Sequence, residues 1–101
     1  MLLDPIKIKN TTFKNRVVMP PMCMYSVYKH DGFLTDFHFA HYINRALGGV
    51  GYIIVESTAI VPEGRITVED LGIWSDEHIK GFKRLVDELH QHGAKVGLQI
   101  N

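Results

Sequence analysis

The sequence predicts an α/β fold in which parallel strands alternate with helices, and three observations carry that expectation. The run Tyr52-Ile53-Ile54-Val55 is continuously apolar, the pattern of a strand covered on both faces. Two flanking segments repeat apolar residues at helical spacing. A last segment, Lys95-Val96-Gly97-Leu98-Gln99-Ile100, alternates like a strand after the second helix. Strand, helix, strand, helix, strand is the order that right-handed crossovers turn into a parallel sheet.

Each element has its own signal. From Pro5 to Phe13 the chain alternates, Ile6 and Ile8 against Lys7 and Lys9, and reads as a short hairpin with a polar turn at Asn10-Thr11-Thr12. Arg16-Val17-Val18-Met19 is a brief strand that Pro20-Pro21 stops, because proline cannot donate to a ladder. A long connection from Met22 to Leu34 turns at Asp31-Gly32. Thr35 is the expected N-cap of the first helix, with Asp36 where the helix dipole favours an anion. Phe39, Tyr42 or Ile43, and Ala46-Leu47 form its apolar stripe, and Gly48-Gly49 closes it. The central strand ends in the polar residues Glu56-Ser57-Thr58, and a loop runs from Pro62 to Trp74. Ser75 caps the second helix, whose stripe is Ile79, Phe82, Val86 and Leu89 with help from Leu85. Lys80, Lys83, Arg84, Asp87 and Glu88 form its solvated side, and Gly93 ends it.

Composition narrows the function. The chain has 101 residues, 46% hydrophobic and 22% charged, which suits one globular unit and not a disordered one. Eleven basic residues balance 11 acidic ones, so net charge argues for neither nucleic acid nor an anionic membrane as partner. Cys23 is the single cysteine, so no internal disulfide forms, and a reducing, cytoplasmic setting is expected. No apolar run approaches the roughly 20 residues that span a bilayer. The opening Met-Leu-Leu-Asp-Pro meets acid and proline at once, unlike a signal peptide. Three parallel strands with two helices leave an open edge and a poorly covered face. Residues 1–101 are therefore expected to be a single partial domain of something larger.

In such a sheet the carboxyl ends of the strands share one rim. The first strand leads to Pro20-Pro21-Met22-Cys23-Met24-Tyr25, the second to Glu56-Ser57-Thr58, the third to Gln99-Ile100-Asn101. A thiol, hydroxyls, an amide, a phenol and a carboxylate thus converge. They suit a planar ligand with polar edges, and a merely structural rim is an equal alternative on these residues alone. Glu56 is read as structural, paired with Arg65. His38 and His41 stand at a metal-binding spacing without a third ligand, so both are read as structural. Gly48-Gly49-Val50-Gly51 follows a helix and precedes a strand, the reverse of a phosphate loop's context.

These residues also carry a family resemblance. Phe13-Lys14-Asn15-Arg16-Val17-Val18-Met19-Pro20-Pro21-Met22-Cys23-Met24-Tyr25 resembles the opening signature of the Old Yellow Enzyme family of FMN-dependent ene-reductases, in its cysteine-containing bacterial branch. His38-Phe39-Ala40-His41-Tyr42, Val55-Glu56-Ser57, Pro62-Glu63-Gly64-Arg65, Leu71-Gly72-Ile73-Trp74-Ser75 and Gly93-Ala94-Lys95-Val96-Gly97-Leu98-Gln99-Ile100 continue it over essentially the whole chain. The resemblance implies a (β/α)8 TIM barrel, of which this chain supplies the bottom hairpin, the first three strands and two helices. It implies FMN as cofactor, NAD(P)H as reductant and an activated alkene as substrate. It implies cofactor contacts at Pro21, Met22, Cys23, Ser57 and Gln99, and catalytic contacts at Cys23 and Tyr25. Other parts of the family's site come later than residue 101, so the chain alone is expected to be inactive and to need the remaining barrel or a homo-oligomer. A non-catalytic barrel fragment that pairs with a complementary piece or with itself is the alternative.

Overall fold

The computed structural model describes residues 1–101. A hairpin comes first, with β1 (Ile6–Ile8) antiparallel to β2 (Thr11–Phe13) and Ile6 opposite Phe13. Its turn is tighter than the sequence suggests. Lys9 takes a left-handed φ of 53° and turns the chain with Asn10, so Thr11 and Thr12 belong to the strand. β3 is only Val18–Met19, because Asn15 takes the preceding backbone. Its side chain donates to the Gly49 carbonyl at 2.7 Å and accepts the Val17 amide at 3.0 Å. Pro20 then ends the strand as expected.

α1 (Asp36–Leu47) starts at Thr35. The Thr35 amide donates to Nδ1 of His38 at 3.0 Å, so an imidazole fills the place a glutamate takes in a capping box. The buried face is His38, His41, Tyr42 and Ala46, whereas Leu47 lies exposed and Phe39 and Ile43 are half-buried. The apolar stripe read from sequence is therefore rotated. Two of the inward side chains, His38 and Tyr42, face a buried carboxylate described below.

β4 (Tyr52–Ala59) is the centre of the sheet and extends through the polar residues expected to end it. Glu56, Ser57 and Thr58 lie inside the strand and are buried. β5 (Leu71–Gly72) is a two-residue strand in the segment read as a loop. A 3-10 turn, Asp76–His78, follows Ser75, whose hydroxyl accepts the Glu77 amide at 3.3 Å. α2 (Ile79–Gln91) then leads to β6 (Lys95–Ile100). His78 is buried between the Phe33 and Trp74 rings and occupies the inner position at the helix start. Ile79 is left 53% exposed in consequence, and Leu85, counted from sequence as an accessory, is fully buried with Leu89 and Phe82.

The other three strands of the sheet run parallel to β4. β3 lies on one edge with Val18 beside Tyr52, and β6 lies on the other with Tyr52 beside Lys95. Thr58 pairs with both Leu71 and Ile100, so β5 continues the edge that β3 begins. The parallel order β3-β4-β6 is the order of the chain, as a barrel requires. Ile53, Val55, Val96 and Leu98 face the helices, where they meet Tyr42, Leu85 and Leu89. The opposite face carries Tyr52, Ile54 and Gly97, and the hairpin covers its lower end. Phe13 stacks on Tyr52 with ring centroids 5.2 Å apart. Beside them, Ile6, Ile8, Val18 and Ile54 line a hollow of about 370 Å³. A Cβ at Gly97 would meet the Tyr52 phenol oxygen, so any larger residue there requires that ring to shift.

The two helical positions separate burial from periodicity. Leu85→Ala should lower stability by about 2–5 kcal/mol through lost transfer and a cavity. Ile79→Ala should change it by less than about 0.5 kcal/mol. Urea denaturation of both variants checks the contrast.

Candidate functional site

The upper rim of the sheet is organised around a carboxylate. A register shift between Val55 and Thr58 places the two residues Glu56 and Ser57 opposite Gln99 alone, a bulge in β4. The bulge breaks strand alternation. Val55 packs in the core, and the next residue, Glu56, still reaches Tyr42 on α1. Glu56 is 1% exposed, so its charge survives only through its partners. The Tyr42 hydroxyl donates to Oε2 at 2.6 Å and accepts the Glu56 amide at 3.0 Å. Nε2 of His38 lies 3.5 Å from Oε1, and the Met24 amide donates to the same oxygen at 3.3 Å. Arg65, the partner expected from sequence, is elsewhere. It binds the carbonyls of Pro62 and His30 at 2.9 Å each and lies over Trp74.

The loop after β3 takes its shape from these bonds. Met24 is held at its amide by Glu56 and at its carbonyl by the Ser26 hydroxyl, 2.9 Å away. Val27, fully buried, donates its amide to the Glu69 backbone carbonyl at 3.1 Å. Between these anchors Tyr25 sits in the left-handed region with φ 52°. A non-glycine residue there costs about 1–3 kcal/mol and persists because its neighbours over-determine it.

The expected site residues have defined places. Cys23 is half-buried, with its thiol against the Ser57 backbone amide. Ser57 is buried, and Gln99 stands across the ladder from it, exposed on the strand face away from the helices. Pro21 is half-buried, and Met22 and Tyr25 are each 46% exposed. Cys23, Ser57 and Gln99 thus share one rim. Asn101 closes its end: its amide side chain donates to the Gly64 carbonyl at 2.6 Å, and its backbone bonds Thr58 and Ile60.

Electrostatics distinguish the groups. Burial pushes the Cys23 thiol up, and the carboxylates of Asp70 and Glu56 add to this against the opposing Ser57 amide. The side chain is a neutral thiol at neutral pH, not a thiolate nucleophile. Burial and Glu56 push the Tyr42 phenol far up, so it remains a donor. Burial alone would raise Glu56, but the facing His38 imidazole and the Tyr42 hydroxyl outweigh it and hold the carboxyl below its ordinary value. Burial and Arg45 lower His41. The sequence missed the Glu56–Tyr42–His38 cluster. Its signal was an acidic residue directly after a buried apolar run, which must find donors wherever the fold supplies them.

Solved structures share this architecture. Morphinone reductase superposes with a TM-score of 0.86 at 31% identity over 98% of this chain and 25% of its own. An Old Yellow Enzyme from Pichia sp. AKU4542 gives 0.86 at 29% identity over 98% and 25%. The fold is thus that of a segment of Old Yellow Enzyme-type structures. A model of the NADH:flavin oxidoreductase / NADH oxidase family matches residues 1–101, and the chain belongs to that family. It is 60% identical over 99 residues to an NADPH dehydrogenase of Bacillus subtilis (strain 168). It is 58% identical over 99 residues to one of Listeria monocytogenes serotype 4a (strain HCC23). In both cases 98% of this chain is covered, and the chain spans 29% of the relative's length.

The lowered Glu56 value fixes the sign of a pH effect. The unfolded carboxyl takes up its proton at the ordinary value of 4.5, above the native one. Its contribution to stability is therefore full above that pH and is lost as pH falls through the native value. In urea titrations at decreasing pH, Glu56→Gln should lose less stability across this acid window than the parent chain.

Proposed function

We propose that residues 1–101 form one wall of an FMN site in an NAD(P)H-dependent reductase of activated C=C bonds, completed by further barrel strands. What supports the reading most is that the family match runs over every residue of the chain. The donor set fits the cofactor. A flat ring with an edge of alternating donors and acceptors needs small groups on its face and an amide at its rim. The Gln99 amide is exposed on the strand face away from the helices, where it offers both a donor and an acceptor. When bound, FMN supplies the hydride relay between nicotinamide and alkene.

The chain's own residues would then divide the work. Pro21 and Met22 would hold the ring with their backbone, the neutral thiol of Cys23 and the Ser57 hydroxyl would border it, and the Gln99 amide would supply a paired donor and acceptor to it. Tyr25 would offer its phenol to the alkene. The setting proposed is the cytoplasm, with the remaining barrel or further copies of the chain as partners. One structural fact also favours a second reading: β6 pairs with β4 alone, so its outer edge is free to bind a complementary segment or another copy without catalysis.

The test is to purify the chain alone and together with the barrel strands that follow in its relatives. The expected result is a yellow complex that oxidises NADPH on adding cyclohexenone, while the chain alone does not turn over. A colourless mixture would overturn the cofactor assignment. Within the complex, Gln99→Leu should weaken FMN by about tenfold in a fluorescence titration, the loss of roughly one or two hydrogen bonds to the ring.

A further inference from the structure

We propose that Glu56 is a positioning residue for this site: its buried carboxylate grips the Met24 amide and so fixes where Cys23 and Tyr25 stand. The proposal rests on the flavin-site reading. The geometry converges on it from both sides of one residue. Met24 is tied at its amide by Glu56 Oε1 and at its carbonyl by Ser26 Oγ. The residue before it is Cys23, and the residue after it is Tyr25 with its positive φ. Without the amide contact, Met24 keeps only its carbonyl bond to Ser26, and Tyr25 is less constrained in the left-handed region. Glu56 can hold that position because Oε2 is anchored by the Tyr42 hydroxyl at 2.6 Å and Oε1 faces His38 at 3.5 Å. His38 is itself fixed, through Nδ1 on the backbone and hydroxyl of Thr35. The chain of contacts therefore runs from the start of α1, through a carboxylate in the central strand, to the loop that carries the thiol and phenol.

A purely structural carboxylate would move stability alone. A positioning one also moves the chemistry of Cys23. The charges that act on that thiol are the carboxylates of Asp70 and Glu56; the Tyr42 phenol also interacts with it, and the Ser57 amide opposes the carboxylates.

The experiment alkylates the assembled protein with iodoacetamide across pH and follows the peptide carrying Cys23 by mass spectrometry, together with the visible flavin spectrum. It compares Glu56→Ala, Glu56→Asp and Glu56→Gln. Asp keeps the charge but loses reach; Gln keeps the reach but loses the charge. The expected result is alkylation roughly fivefold faster or more in the Ala and Asp variants, since only the loosened, better-solvated thiol ionises readily. The flavin band should shift with it. Gln should restore a rate near that of the parent, with only a small downward move of the pH midpoint from the lost charge. A parental rate and spectrum in Asp, or a Gln variant as fast as Asp, would overturn the proposal. If Glu56→Ala does not fold, the Asp and Gln pair decides. If the parent protein itself binds no flavin, the flavin-site reading fails, while the alkylation rates still decide whether Glu56 holds the loop.

Discussion

A carboxylate with almost no solvent exposure must be neutralised, protonated or surrounded by donors, and Glu56 is surrounded by donors. That one requirement reaches through much of the molecule. It turns α1 so that His38 and Tyr42 face the sheet, although apolar residues were available at neighbouring positions. It takes the amide of Met24 and thereby draws the loop after β3 over the end of β4. It coincides with the bulge that lets Glu56 point to the helices while Gln99 remains across from Ser57. Breaking such a buried group's contacts leaves a charge without compensation, which is costly well beyond the value of the contacts themselves.

The rest of the architecture is hydrophobic and obeys simpler rules. One face of the sheet is sealed by two helices through Ile53, Val55, Leu85 and Leu89. The other holds the hairpin by the Phe13–Tyr52 stack over its lower end. This division separates stability from chemistry. Apolar packing concentrates on the helix side and at the bottom, while polar side chains gather at the carboxyl ends of the strands. A parallel β/α architecture places its sites there because loops leave the strands on that side. The family to which the chain belongs is one of flavin oxidoreductases.

Much of this was legible before any coordinates. Pro20 marked the end of β3, Thr35 and Ser75 marked helix starts, and the apolar run at Tyr52 marked the central strand. These are local signals, set by missing amide donors, capping hydroxyls and burial on two faces. What escaped was non-local. Ile79 fits the helical stripe by spacing, but His78 occupies the inner position. Leu71–Gly72 has no strand signature of its own and pairs only because β4 offers a free edge there. Arg65 looked like the counter-charge for Glu56, but carbonyls of two loops claim it first.

The amino-acid order by itself determined the alternation of strands and helices, the direction of the chain through the sheet, and the set of polar residues at the strand ends. Periodicity, capping and proline act over a few residues, so they are written in the sequence. Only the tertiary structure decided that Cys23 meets the Ser57 amide, that Gln99 stands beside Ser57, and that Glu56 is held by Tyr42, His38 and Met24. Those pairings join residues separated by up to 42 positions, as between Ser57 and Gln99. They depend on a bulge and a helix rotation that satisfy one buried charge, a constraint that exists only once the strand is covered.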